Sequence, residues 1–131
     1  MGYHGSMLKT LRRFTCVLAC TLVAVSAFAQ TKAPSPERAE LNRYEKNYTQ
    51  AKAGFQKSTK NAKAKQAYVD ATVALGTKVM TSSLLAPKEK YPRALKLYRE
   101  ALKLDPKNKE ALENKAMIEQ IYKSMGRPIP Q

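Results

Sequence analysis

Apolar residues recur along this chain at intervals of three and four, separated by lysine-rich polar stretches. Leu41, Tyr44, Tyr48, Ala51 and Phe55 form one such series, a single stripe on a helix predicted over residues 36–57. Ser35-Pro36-Glu37 supplies its start: a side-chain cap, a proline in the first turn and an acid near the N-terminal dipole. The aromatic stripe reads as core packing rather than a ligand box. Residues 58–64 are polar and basic, with Lys57, Lys60, Lys63 and Lys65 in or beside them, and hold a turn or the frayed start of the next helix. A second helix is predicted from there to about residue 85. Its main stripe is Ala64, Ala67, Tyr68, Ala71, Leu75 and Val79, with Val69, Val73 and Met80 beside it.

A third helix is predicted over residues 91–104. Ala94, Tyr98 and Ala101 share one face; two are small, so a neighbouring helix can approach, with Tyr98 as the knob between them. Pro92 suits the first turn, and Asp105-Pro106 ends the helix. Asn108 is positioned to cap a fourth helix over residues 109–125, with Ala111, Ile118, Ile121, Tyr122 and Met125 as its apolar face. Gly126 follows where a left-handed residue closes a helix, and residues 127–131 form an extended tail. The expected fold is all-α, with antiparallel helix hairpins and about four helices.

The series Ala94, Tyr98, Ala101 and Pro106 resembles the second helix of a tetratricopeptide (TPR) repeat: small, aromatic, small and proline at the family's spacing. Leu75-Gly76 resembles the Leu-Gly pair of the first helix, where the small residue admits the paired helix. Ala51 and Phe55 echo Ala94 and Tyr98. The chain departs from the family in two places. Gly76 and Ala94 are 18 positions apart where the family has 12, and Thr72 stands where a tryptophan is expected. The surplus falls around residues 82–90, as an enlarged loop or a first helix running on to Ala86-Pro87. The resemblance implies a right-handed helical repeat whose first helices line a groove that holds a protein partner. By position, that groove would include Asp70, Val73, Thr77 and Met80 on the second helix, and Glu110, Glu113, Met117 and Gln120 on the fourth. Asp70, Glu110 and Glu113 would suit a basic partner segment. About one and a half repeats are few, so either the first helix caps the stack or the chain packs on a second copy or a larger partner.

Charge adds a second theme. Lys and Arg number 24 against 10 acids among 131 residues, a net +14. Lys9, Arg12 and Arg13 precede an apolar run over residues 14–28, and Ala27-Phe28-Ala29 offers small residues at the −3 and −1 positions of a cut before Gln30. This is the pattern of a secretory signal peptide over residues 1–29, and the run is short of the roughly 20 residues needed to span a bilayer. An uncleaved anchor is one alternative. Another is a lipoprotein anchored at Cys20, since Val17-Leu18-Ala19-Cys20 resembles a lipobox; the preferred reading makes Cys20 a small hydrophobe of the apolar run. Residues 1–6 formally match a myristoylation pattern, and Met7 begins a cleaner signal, leaving Met1 and Met7 as two candidate starts. Residues 30–35 are expected to be a disordered lead-in.

Without the first 29 residues the chain is still +11 and has neither Cys nor His, which excludes disulfides and Cys- or His-based catalysis and metal sites there. A glycine-rich phosphate loop is also missing. No cofactor or small-molecule substrate is expected, and the chain reads as a non-enzymatic exported adaptor for a protein partner. The alternative is a basic protein touching anionic envelope lipid or polymer. Lys96, Arg99, Lys103 and Lys107 form a basic stripe on the third helix, read first as a solvated face with Glu100 interspersed. Nucleic acid is the weaker choice, because no aromatics interleave that stripe.

Overall fold

The computed structural model describes residues 33–131; the predicted signal segment, its lipobox and residues 30–32 lie outside them. Four helices follow in chain order: α1 Pro36–Lys57, α2 Ala62–Thr81, α3 Pro87–Leu104 and α4 Lys109–Ser124. The described residues contain no strand, so the fold is all-α. Each helix packs on the next in sequence, and α2 also touches α4.

The helix starts are set by short-range chemistry. Ser35 Oγ accepts from the Arg38 amide at 3.3 Å, with Pro36 in the first turn of α1. Asn61 and Asn108 do the same for α2 and α4, accepting from Ala64 at 3.1 Å and Ala111 at 3.0 Å. Each cap satisfies an amide that the helix itself leaves without a partner. α4 closes through Gly126 at φ 64°. The Gly126 and Arg127 amides donate back to the Lys123 and Tyr122 carbonyls, both at 3.0 Å, the paired closure that a left-handed residue allows.

α1 has the predicted bounds; the α2–α3 connection differs. α2 ends at Thr81 rather than near residue 85, and α3 begins at Pro87 rather than residue 91. The surplus residues therefore form neither a large loop nor a longer α2: five make the connection, and the rest add a turn to the start of α3. Pro87 occupies the first turn, and Pro92 lies inside the helix. There it removes the hydrogen bond to the Lys88 carbonyl, which water can take because Lys88 is exposed.

Glu37 explains the early stop of α2. Its carboxylate accepts from Ser82 Oγ at 2.9 Å, from the Ser83 amide at 2.8 Å and from Ser83 Oγ. These bonds, the two from Ser83 first, hold the carboxyl at about 2, well below the usual range. Its contribution to the connection is therefore present above the ordinary carboxylate value and lost as pH falls from about 4.5 towards 2. Glu37→Ala is expected to abolish hydrogen-exchange protection of the Ser83 amide at neutral pH; unchanged protection would show that the connection holds itself.

The core is centred on α2, which contributes Val69, Thr72, Val73, Leu75 and Val79 between α1 and α3. Burial on two sides widens its apolar face beyond the predicted stripe. Thr72 is buried and satisfies its hydroxyl on the Tyr68 carbonyl at 2.7 Å, whereas Ala67, placed in the stripe by spacing, is exposed. Leu41, Leu95, Tyr98 and Ile118 are essentially inaccessible, and Met125, predicted on the apolar face of α4, is 50% exposed.

Tyr98 sits against Gly76. A Cβ at position 76 would lie 2.8 Å from Tyr98 Cε1 and 3.1 Å from Cζ, so the helices approach only because the hydrogen stands there. Ala94 and Ala101, on the same face of α3 as Tyr98, are buried, while Pro106 is exposed just past the end of α3.

Candidate functional site

A groove of about 640 Å³ opens beside α2. Asp70, Val73, Ala74, Thr77, Lys78 and Thr81 form its floor, Tyr44 of α1 one wall, and Asn108, Lys109 and Glu110 at the start of α4 the other. The α4 wall is tied to the floor by hydrogen bonds. Thr77 Oγ1 donates to Glu110 at 2.7 Å, and Asn114 Nδ2 donates to Thr77 Oγ1 at 3.3 Å and to the Tyr98 hydroxyl at 3.2 Å. Burial pushes the Tyr98 hydroxyl up, against the opposing effect of its bonds to Thr77 and Asn114, so it remains protonated through neutral pH.

The groove's charges are unevenly satisfied. Lys78 Nζ donates to Glu40 at 2.6 Å, a bond that raises its pKa, and Lys109 stands 3.8 Å from Glu113. Both lysines thus have a carboxylate outside the groove lining. Asp70 accepts only from the neutral Gln66 amide at 2.8 Å, and Glu110 only from Thr77. Although the chain is strongly basic, this concavity presents two carboxylates with free lone pairs beside apolar surface from Val73, Ala74 and Tyr44. That chemistry holds a cationic side chain on an apolar stem.

Of the eight residues assigned to the groove by position, Asp70, Val73, Thr77 and Glu110 line it and the other four do not. Met80 turns inward, its sulfur 4.0 Å from the Tyr98 hydroxyl, and Glu113, Met117 and Gln120 face solvent on α4. Spacing missed Tyr44, Ala74, Lys78, Thr81, Asn108 and Lys109 of the lining, and Asn114 behind it. Tyr44 was legible only as part of the α1 stripe, since nothing local says that α1 walls a groove on α2.

The basic stripe of α3 is not a continuous solvated face. Arg99 donates to the Pro130 carbonyl at 2.7 Å and lies 3.9 Å from Glu119. Ile129 packs on the core, so residues 127–131 dock along the helix rather than extend away from it. Lys96 and Lys103 remain exposed and border a hollow of about 490 Å³ with Arg99, Glu100 and Gln131, while Lys107 is exposed in the α3–α4 turn.

Glu100 is also displaced from its expected role in that face. Its Oε1 accepts from Tyr48 at 2.8 Å, from Tyr68 and from Lys52 at 3.3 Å, joining α1, α2 and α3. Burial pushes its carboxyl up, but the donors outweigh that and hold it below the usual range. Phe55 stacks on Tyr68 with ring centres 5.6 Å apart, covering the cluster from the α1 side.

Among the described residues no His, Cys, Asp and Glu side chains gather as a metal site, and no helix is long and apolar enough to cross a membrane. Set against known families, curated proteins and solved structures, the chain matches no family model, no protein and no structure.

Proposed function

We propose that the chain is a non-enzymatic, exported TPR-like adaptor whose α1–α2–α4 groove holds a basic segment of a protein partner. One observation carries the reading: both groove lysines have carboxylates outside the lining, whereas Asp70 and Glu110 meet only uncharged donors. The close approach of Gly76 to Tyr98, with Ala94 and Ala101 buried on the same face, supports the TPR-like arrangement. Leu112 and Met117 on α4, and Met125 just after it, are 45%, 54% and 50% exposed, apolar side chains left available to a further hairpin or a second copy.

The test is crosslinked capture from an envelope fraction, followed by affinity measurement on the recovered partner. Asp70→Ala and Glu110→Ala are each expected to weaken binding about 10- to 100-fold, and more in combination, as for the loss of one charge-assisted contact of about 1.5–3 kcal/mol apiece. Glu89→Ala, an exposed acid on α3 that neither lines the groove nor pairs with a groove lysine, is expected to change binding by less than about threefold. Full affinity in the Asp70/Glu110 variant would remove the groove from partner capture.

A further inference from the structure

The end of the α1–α2 hairpin lies in the longest acid-free stretch of the described residues. Between Glu45 and Asp70 the sequence has six lysines and no acid. Lys46 lies midway along α1, and Lys52 is neutralised by Glu100 at 3.3 Å. The other four, Lys57, Lys60, Lys63 and Lys65, cluster at the turn, all exposed, and none is in an ion pair among the described residues. Lys57, Ser58, Thr59, Lys60 and Asn61 surround a shallow hollow of about 430 Å³.

The hairpin end also projects from the core. Of residues 56–67 only Ala64 is even half-buried, and the first buried residues of α2 are Tyr68 and Val69. At 1.5 Å per residue, the α2 segment before Tyr68 carries the lysines about 9 Å beyond the packed body. This arrangement works against the fold. Lys63 and Lys65 sit in the opening turns of α2, whose first turn has no acid, so they face the positive end of the helix dipole as well as Lys57 and Lys60. The four charges lie within a few turns of one another, a separation on the scale of the roughly 8–10 Å screening length at physiological salt. An apposed layer of negative charge removes both penalties.

We propose that this hairpin end docks the protein on an anionic phospholipid surface, as a second interaction site separate from the groove. The residue types favour lipid headgroups over nucleic acid. No arginine occurs between Arg43 and Arg93, so the bidentate fork that reads phosphates or base edges is missing from the prong. No aromatic lies in residues 56–67, and Phe55 is occupied by Tyr68, so no base can stack there. Lysines on a short projecting end, among Ser, Thr and Asn, match the diffuse attraction of point charges to a fluid layer of headgroups. The site also differs from the α3 stripe, where Arg99 is engaged by Glu119 and by the docked residues 127–131.

The test is sedimentation of the full chain with vesicles of phosphatidylcholine alone or mixed with anionic phosphatidylglycerol. Lys57, Lys60, Lys63 and Lys65→Gln is compared with Lys88, Lys96, Lys107 and Lys123→Gln, which removes the same charge elsewhere. All proteins share residues 1–32, whose contribution cancels in the ratios. At roughly fivefold per lysine, the hairpin variant is expected to lose about a hundredfold or more of its partitioning onto the anionic vesicles, with the control far less affected. Circular dichroism of both variants confirms the helices. Equal losses in the two variants, or no wild-type preference for anionic vesicles, would overturn the proposal. So would tighter hairpin-dependent binding of a single-stranded oligonucleotide than of the vesicles at the same salt.

Discussion

Tyr98→Ala is expected to lower the unfolding free energy by about 3–5 kcal/mol, the range for removing a large buried aromatic. That is a large share of the roughly 5–15 kcal/mol available to a domain of this size. Tyr98 is fully buried, its ring lies against Gly76, and its hydroxyl joins α3 to Thr77 on α2 and Asn114 on α4. Urea unfolding followed by far-UV circular dichroism measures the loss. Tyr98→Phe keeps the ring and is expected to cost only about 1 kcal/mol, because Thr77 and Asn114 are half-buried and can turn to water. Gly76→Ala supplies the complementary measurement. Alanine gains about 1 kcal/mol of helix propensity, but its Cβ meets a ring that cannot move, an overpacking cost of about 1–3 kcal/mol. The net effect is expected to be destabilising in the wild-type chain and stabilising in a Tyr98→Leu background. A Gly76→Ala variant more stable than wild type would rule out the close approach.

Glu100→Ala is expected to cost about 2–3 kcal/mol, since it removes one acceptor from three donors on two other helices. The lower part of the range for a broken ion-pair network applies because the Glu100 side chain keeps 25% of its exposure. Glu100→Gln retains an acceptor oxygen and is expected to lose about half as much. The cluster also sets a pH signature. The carboxyl is held below its ordinary value near 4.5, so its stabilisation is present above that pH and is lost as pH falls below it. Lys52 is raised, through its bond to Tyr48 and its bonds to Glu100 and Tyr68 against some desolvation. Tyr68 is raised by burial and then by its bond to Glu100. Those contributions are present below the ordinary lysine and tyrosine values near 10 and are lost as pH rises through the folded ones. Stability against pH should therefore fall at both ends in the wild type, and both limbs should be shallower in Glu100→Gln. A wild-type profile that Glu100→Gln leaves unchanged would show that the cluster does not couple the three helices.

The parts of the molecule legible in the sequence are those fixed by near neighbours. Ser35 and Asn108 need only an amide three residues ahead, and Gly126 only the turn it closes, so two helix starts and the end of α4 could be read directly; Asn61 caps α2 in the same way, inside residues 58–64 that the pattern left between a turn and a frayed start. The spacing of Ala94, Tyr98 and Ala101 named the buried face of α3 for the same reason. Long-range chemistry decided the rest. α2 stops at Thr81 because Glu37, a carboxylate 45 positions before Ser82, takes the Ser82 hydroxyl and the Ser83 amide that would otherwise continue the helix. Glu100 looked like one more charge on a solvated face until α1 and α2 brought two tyrosines and a lysine to it. Asp70, Val73, Thr77 and Glu110 line one concavity because α2 and the start of α4 face each other; α1 supplies a further wall, and α4 turns Glu113, Met117 and Gln120 to solvent. Helical period and caps are encoded within a few residues, so the sequence alone determined four helices and the centre of each apolar face, while packing on two sides of α2 decided how wide its face is. Lys78 and Lys52 are neutralised by side chains some 40 or 50 positions away, so only the tertiary structure decided that a basic chain carries a groove with two carboxylates free of cationic partners, and a lysine prong without an acid.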